Sequence, residues 1–93
     1  MKYLMTYHSV PDFAARAEKH VAGHVARLKE FHERGTLLMA GALEDPRKGD
    51  AIAVFTTKEA AEEFIAADPF VQHGVVASWT VRPWREALTP DQP

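Results

Sequence analysis

Hydrophobic and polar positions along the chain switch between a period of two and a period near three and a half, and the switches mark out a small set of elements. Residues 2–8 alternate Tyr3, Met5 and Tyr7 with Leu4, Thr6 and His8, the pattern of a strand. Ser9-Val10-Pro11-Asp12 breaks that strand and offers residues that start helices. A long helix is expected over about 12–34. Apolar positions three, four and seven apart share a helix face; here they are Phe13, Ala17, Val21, Leu28 and Phe31, with His24 set among them and Val25 beside them. Arg16, Glu18, Lys19, Lys29, Glu30 and Glu33 fall on the opposite side. His32 and Arg34 suit the negative end of the helix dipole, and Gly35 follows as a cap.

Residues 36–43 predict a second strand and 51–55 a third. Between them 44–50 is a turn rich in Pro, Gly and Asp, with Arg47-Lys48 as a solvated tip. Thr56 and Glu59 have capping-box spacing and open a second helix over about 57–67, with Ala60, Phe64 and Ile65 inward. Asp68-Pro69 ends it, because the residue before proline resists the helical region. Phe70 to His73 make one more turn, closed by Gly74, and 75–83 alternate again as a fourth strand. Residues 1–85 are read as one domain and 86–93 as a C-terminal tail, frayed from Thr89 onward.

The order is β-α-β-β-α-β, a ferredoxin-like α+β arrangement around a four-stranded antiparallel sheet. Two helices cover only one face of such a sheet. Yet the second and third strands are apolar on both faces: Leu37, Leu38, Met39 and Ala40, then Ile52, Val54 and Phe55. A water-facing antiparallel strand alternates more cleanly. The open face is therefore expected to meet a second copy, giving a homodimer through the sheet. The other reading is a monomer with an apolar patch, which soluble proteins rarely carry.

Composition narrows the functional classes. The 93 residues suit a single domain. A net charge of −2 supplies no electrostatic reason to bind nucleic acid or an anionic membrane. The absence of cysteine removes thiolate catalysis, disulfides and Cys-ligated zinc. No apolar run approaches the roughly 18 residues of a membrane span. The first eight residues are too short and polar for a signal peptide, so a cytoplasmic location is expected. No phosphate-binding glycine loop or nucleophile elbow is present, and no cofactor is expected.

The candidate chemistry centres on His24. An imidazole on an inward stripe is costly unless something pairs with it. Asp68, in Ala67-Asp68-Pro69-Phe70, is the best partner by context. A carboxylate on one ring nitrogen fixes the tautomer, frees the other nitrogen as a base and stabilises the imidazolium that follows. Two plainer readings stand beside this one. His24 is a hydrogen-bonded core residue, or Asp68 caps the next turn with Pro69 at its first helical position.

Several segments together resemble the YCII (YciI-like) family of small α/β proteins. They are His24-Val25-Ala26-Arg27-Leu28, Gly35-Thr36-Leu37-Leu38-Met39-Ala40-Gly41, the turn to Gly49, and Glu59-Ala60-Ala61-Glu62-Glu63-Phe64. Ala67-Asp68-Pro69-Phe70-Val71, with Gly74-Val75 behind it, is the strongest, and Val81-Arg82-Pro83-Trp84 closes the set. The resemblance covers about residues 1–85. It implies a ferredoxin-like fold, a dimeric α/β-barrel-type assembly and a His-Asp active site, at His24 and Asp68. The family is similar to muconolactone-isomerase-type enzymes, which implies acid/base chemistry on small cyclic or unsaturated acids. One departure stands out. Where the family commonly has Arg-Pro-x-His, this chain has Val21-Ala22-Gly23-His24. The arginine that would hold an anion is missing, leaving His20, Lys19 or Arg27 as substitutes not placed there by motif.

Weaker candidates surround the pair. His20 and His24, spaced i and i+4, could share a metal only with a third ligand from His8, His73 or Asp68, and no metal site is expected. Tyr7 and Ser9 end the first strand, where a hydroxyl could donate to a substrate oxygen; Ser9 could equally cap the helix. Gly41 allows close approach of a ligand or of a neighbouring chain. Trp79 and Trp84 are anchors for a core or an interface. Three functions follow. The first is an enzyme, an isomerase or lyase acting on a small organic acid or lactone through His24 and Asp68. The second is a non-catalytic dimer binding a small ligand in the same cleft. The third is a structural dimerisation domain.

Overall fold

A computed structural model describes residues 1–45 and 48–90. Arg47 of the expected turn tip and the last three residues of the tail lie outside the described residues. The element order is β1 (Lys2–Ser9), α1 (Phe13–Ala17), α2 (Val21–Glu33), β2 (Leu37–Ala42), β3 (Ala51–Phe55), α3 (Lys58–Ala66), α4 (Pro69–Gln72) and β4 (Val76–Trp84). The four strands form one antiparallel sheet in the order β2-β3-β1-β4. This is the ferredoxin-like arrangement expected from the pattern.

Register explains which residues form the core. β1 pairs Tyr3 with Phe55, Met5 with Ala53 and Tyr7 with Ala51. Met5, Tyr7, Ala53 and Phe55 are therefore on one face, which is buried under the helices. Leu4, Thr6, Ile52 and Val54 point the other way. β2 joins with an irregularity at Leu38, which puts Leu37, Ala40 and Ala42 on the helix face and Met39 and Gly41 on the open face. Phe31, Phe55 and Phe64 are the largest buried apolar side chains. Phe64 contacts both others, at 5.3 and 5.6 Å between ring centroids.

Two expectations are corrected. The helix expected over 12–34 is two helices, separated by turns at 18–20. Neither proline nor glycine occurs at those positions, so propensity does not make the break. Tertiary anchors do: Phe13 is held against Gly49, and the His20 ring stacks on His73. The α3 cap is Thr57, not Thr56. Its hydroxyl accepts from the Ala60 N–H at 3.1 Å, while the Thr56 N–H donates to the Thr36 carbonyl and is spent on the sheet end. Beyond β4, the Glu86 carboxylate accepts from Lys2 Nζ at 2.9 Å.

Candidate functional site

α2 and α4 approach closely above the end of the sheet. Gly23 permits this, since a Cβ there would lie 3.2 Å from Cγ of Pro69. His24, one residue on, thereby reaches Asp68 at the start of α4. Nδ1 of His24 is 2.8 Å from Oδ1 of Asp68. The carboxylate is completely buried. Its Oδ1 also accepts from the Phe70 N–H at 3.2 Å, and its Oδ2 accepts from the Tyr7 hydroxyl at 2.8 Å.

Three donors thus converge on one buried carboxylate. An ionised carboxylate only accepts. In the neutral imidazole Nδ1 therefore carries the proton, and Nε2 keeps its lone pair. The Phe70 ring lies flat on the imidazole, 3.9 Å between centroids and 9° from parallel, and Phe64 meets it edge-on at 6.2 Å. Bonding and stacking together fix the ring. Burial first, then the Asp68 charge beside it, push the Tyr7 hydroxyl pKa well above the usual tyrosine range.

A cavity of about 460 Å³ opens beside His24. Its floor is the helix face of β2 and β3, where Ala40, Ala42, Ala51 and Ala53 leave room that larger residues would fill. Phe13, Ala14 and Ala17 of α1 border it from the other side, with Val21 of α2. Val21 is 46% exposed for this reason: it faces the hollow and not the core. Turn residue Gly49 completes the rim. Its φ is +66°, and an added Cβ would lie 2.7 Å from the Phe13 ring. The Ser9 hydroxyl donates to its carbonyl at 2.6 Å.

His24, Tyr7, Ser9 and Gly41 all border this cavity, with Asp68 directly behind His24. His20 does not. It is the N-cap residue of α2, and its ring stacks on His73 at 3.9 Å and 5°. Ring-to-ring stacking is not how imidazoles share a metal. Among the described residues no three His, Asp or Glu side chains converge as metal ligands. His8 faces Asp50 at 3.6 Å. Ser9 does not cap a helix: the residue before α1 is Asp12, and the Ser9 hydroxyl donates to the Gly49 carbonyl. Tyr7 likewise spends its proton on Asp68 and not on the cavity. Arg27 is no substitute for an anion-binding arginine: Nε and Nη2 donate to the carbonyls of Phe64 and Glu63, closing the end of α3.

Asp68 fills both of the roles that the sequence left open. Oδ1 caps α4, with Pro69 at its first helical position, and the same oxygen holds His24. Sequence reasoning did not link Tyr7 to Asp68. The signal was present, since a tyrosine on the inward side of β1 needs a buried partner for its hydroxyl. The flat contact of Phe70 on His24 has no sequence signature.

Fold and site together define a small ferredoxin-like α+β protein with a buried carboxylate holding a cavity-facing imidazole. Comparison with known proteins gives the lineage. The YCII-related domain model matches residues 1–85, and the chain belongs to that family. An uncharacterised protein of Haemophilus influenzae is 30% identical over 98 residues, covering 95% of this chain and all of that one. Protein YciI of Escherichia coli is 33% identical over 75 residues, covering 70% of this chain and 76% of that one. Among solved structures, 5-chloro-2-hydroxyhydroquinone dehydrochlorinase (TftG) from Burkholderia phenoliruptrix, in complex with 2,5-dihydroxybenzoquinone, superposes with a TM-score of 0.75. It covers 91% of this chain and 94% of its own at 18% identity, which is a likeness of fold. No helix among the described residues is long and apolar enough to cross a membrane.

Proposed function

We propose that this protein is a small cytoplasmic enzyme in which His24 is the acid/base group and Asp68 positions it. The carrying observation is the 2.8 Å contact between Nδ1 and a wholly buried carboxylate, on a ring that lines a cavity. Nε2 takes a proton from the substrate, and the electron pair of the broken bond moves into the substrate's unsaturated system. Asp68 and the face of Phe70 stabilise the imidazolium. Return of the proton to another carbon completes an isomerisation. Its delivery to a leaving group completes an elimination. The substrate class is a small organic acid or lactone. The fold neighbour is named as a dehydrochlorinase of a chlorinated hydroxyhydroquinone and is in complex with a quinone, which supports a small unsaturated ring as the class of ligand.

The experiment is a turnover screen over lactones and unsaturated acids with the wild type and with His24→Ala. A general base is worth roughly 10²- to 10⁴-fold, and the variant should lose that much while staying folded. Binding without conversion of any compound would instead support the ligand-binding module. That second reading is favoured by the absent arginine at Val21-Ala22-Gly23-His24. A His24→Leu variant that gains stability and loses nothing else would leave only the structural reading.

The protein works as a homodimer joined through its open sheet face. Met39 is 67% and Trp84 47% exposed there, and with Leu4, Ile52 and Val54 they border one apolar hollow. A continuous apolar surface of this kind is characteristic of an interface.

A further inference from the structure

The cavity beside His24 has an unusual chemical balance. Of the described residues that line it, only Tyr7, Ser9 and His24 carry polar side-chain atoms. None is lysine, arginine, aspartate or glutamate. The two hydroxyl protons are already committed, one to Asp68 and one to the Gly49 carbonyl. The nearby arginines are committed as well. Arg16 bonds Asp12, and Arg27 bonds the end of α3. Of the described lining, His24 alone offers a side-chain nitrogen, Nε2, outside these bonds, and the two hydroxyl oxygens are left only able to accept.

Charge then decides the class of ligand. With His24 neutral and ready to accept a proton, the charge in direct contact with the ring is the negative one on Asp68, while the Arg27 guanidinium, whose field reaches Tyr7, is turned to the carbonyls of Phe64 and Glu63 and does not line the cavity. A carboxylate entering the cavity would lose its hydration and meet no cationic side chain among the described lining residues. It would also lie within range of a like charge in a poorly screened setting. It could bind only beside a protonated His24, and a protonated imidazole is no base. A neutral ring suffers neither penalty. When it gives up its proton, the resulting anion forms next to the imidazolium, so the pair of charges appears together and the total charge of the cavity does not change.

We infer that the site takes a neutral, largely apolar ring compound with one weakly acidic hydrogen, a lactone or cyclic ketone in type, and rejects carboxylates. This narrows the acid/base reading and rests on it for the role of His24. A volume of about 460 Å³ suits such a molecule, falling in the range of about 300–1,000 Å³ typical of small-ligand pockets. The apolar floor of alanines and the edges of Phe13, Phe64 and Phe70 provide the contact surface.

Acetophenone and benzoate test the assignment, because they are nearly the same shape and differ in charge. Calorimetry at pH 8 should show acetophenone binding about tenfold or more tighter than benzoate, a difference of about 1.4 kcal/mol or more. Nitrogen-15 resonances of the His24 side chain should shift as it binds. Benzoate binding equally well or better overturns the inference, and so does failure of acetophenone to bind. A second readout separates this from the acid/base reading. In heavy water, Nε2 removes a methyl proton from acetophenone, the C–H pair moves to the carbonyl oxygen as an enolate, and deuterium returns to carbon. His24→Gln should abolish this exchange and keep the preference for the neutral ring. Exchange unaffected by His24→Gln, with that preference intact, would sink the base and spare the ligand class. Exchange that needs His24 in a protein preferring benzoate would do the reverse.

Discussion

The Tyr7 hydroxyl donates to Oδ2 of Asp68 at 2.8 Å, although 61 positions of sequence separate the two residues. Both are buried, so neither can turn to water instead. Replacing Tyr7 by phenylalanine leaves one carboxylate oxygen without its donor. A buried acceptor stripped of its partner costs about 1–3 kcal/mol. Urea unfolding of Tyr7→Phe should show a loss of that size with an unchanged slope.

The same contact makes stability fall in alkali. Burial and the Asp68 charge hold the proton on Tyr7 in the folded protein well above the usual tyrosine range. The unfolded chain releases it near pH 10. The native state therefore binds more protons above that pH, and stability is complete below about pH 10 and declines above it, by up to about 1.4 kcal/mol per pH unit from this group. The slope should be measurable by denaturant titration between pH 9.5 and 11, a window chosen from the ordinary tyrosine value of about 10. It should shrink in Tyr7→Phe.

Asp68→Asn separates shape from charge. Asparagine still caps a helix, and its volume is unchanged. It offers Nδ1 no negative charge, and its amide can supply a donor where an acceptor is needed, which favours the wrong tautomer. Turnover should fall by about 10²-fold or more. The loss of stability should stay within about 1–3 kcal/mol, which for a chain this size lowers the unfolding temperature by about 4–8 °C per kcal/mol.

Gly49→Ala strikes the rim of the cavity and not its chemistry. A positive φ disfavours any side chain by about 1–2 kcal/mol, and here the new Cβ would also collide with the Phe13 ring. A loss of about 1–3 kcal/mol is expected. Ligand affinity should fall as well, because Phe13 borders the cavity. Calorimetric binding and urea unfolding on the same sample check both.

Met39→Asp addresses association. A charge placed on the open sheet face should abolish the proposed dimer, leaving a monomer in sedimentation analysis. The helix-covered core lies on the opposite face and should be untouched.

The fold was legible because its signals are local. Alternation in β1, the Pro-Gly turn before β3 and the residue preceding Pro69 each fix an element without tertiary help. The pairing of His24 with Asp68 was legible for another reason: one polar residue on an apolar stripe demands a partner, and among the chain's acids Asp68 stood out by its Ala-Asp-Pro-Phe context and by the family resemblance. What escaped was set by long-range packing. The break after α1 depends on Phe13 meeting Gly49 and on His20 meeting His73, contacts that no window of sequence contains. The cap moved from Thr56 to Thr57 because the sheet claimed the Thr56 N–H. Tyr7 was read as a donor to substrate, since its partner lies 61 residues away.

The alanines under the cavity sit on strands, whereas the imidazole and its carboxylate belong to the helical layer. The floor of the chamber and the reacting pair are thus written in separate parts of the molecule. Enlarging one methyl group at Ala51 or Ala42 would recontour the chamber and leave the proton-handling apparatus alone. A lineage with this layout can drift from one guest molecule to another by single steps, each retaining a working base, and sequences alike in the helices can then differ in what they accept.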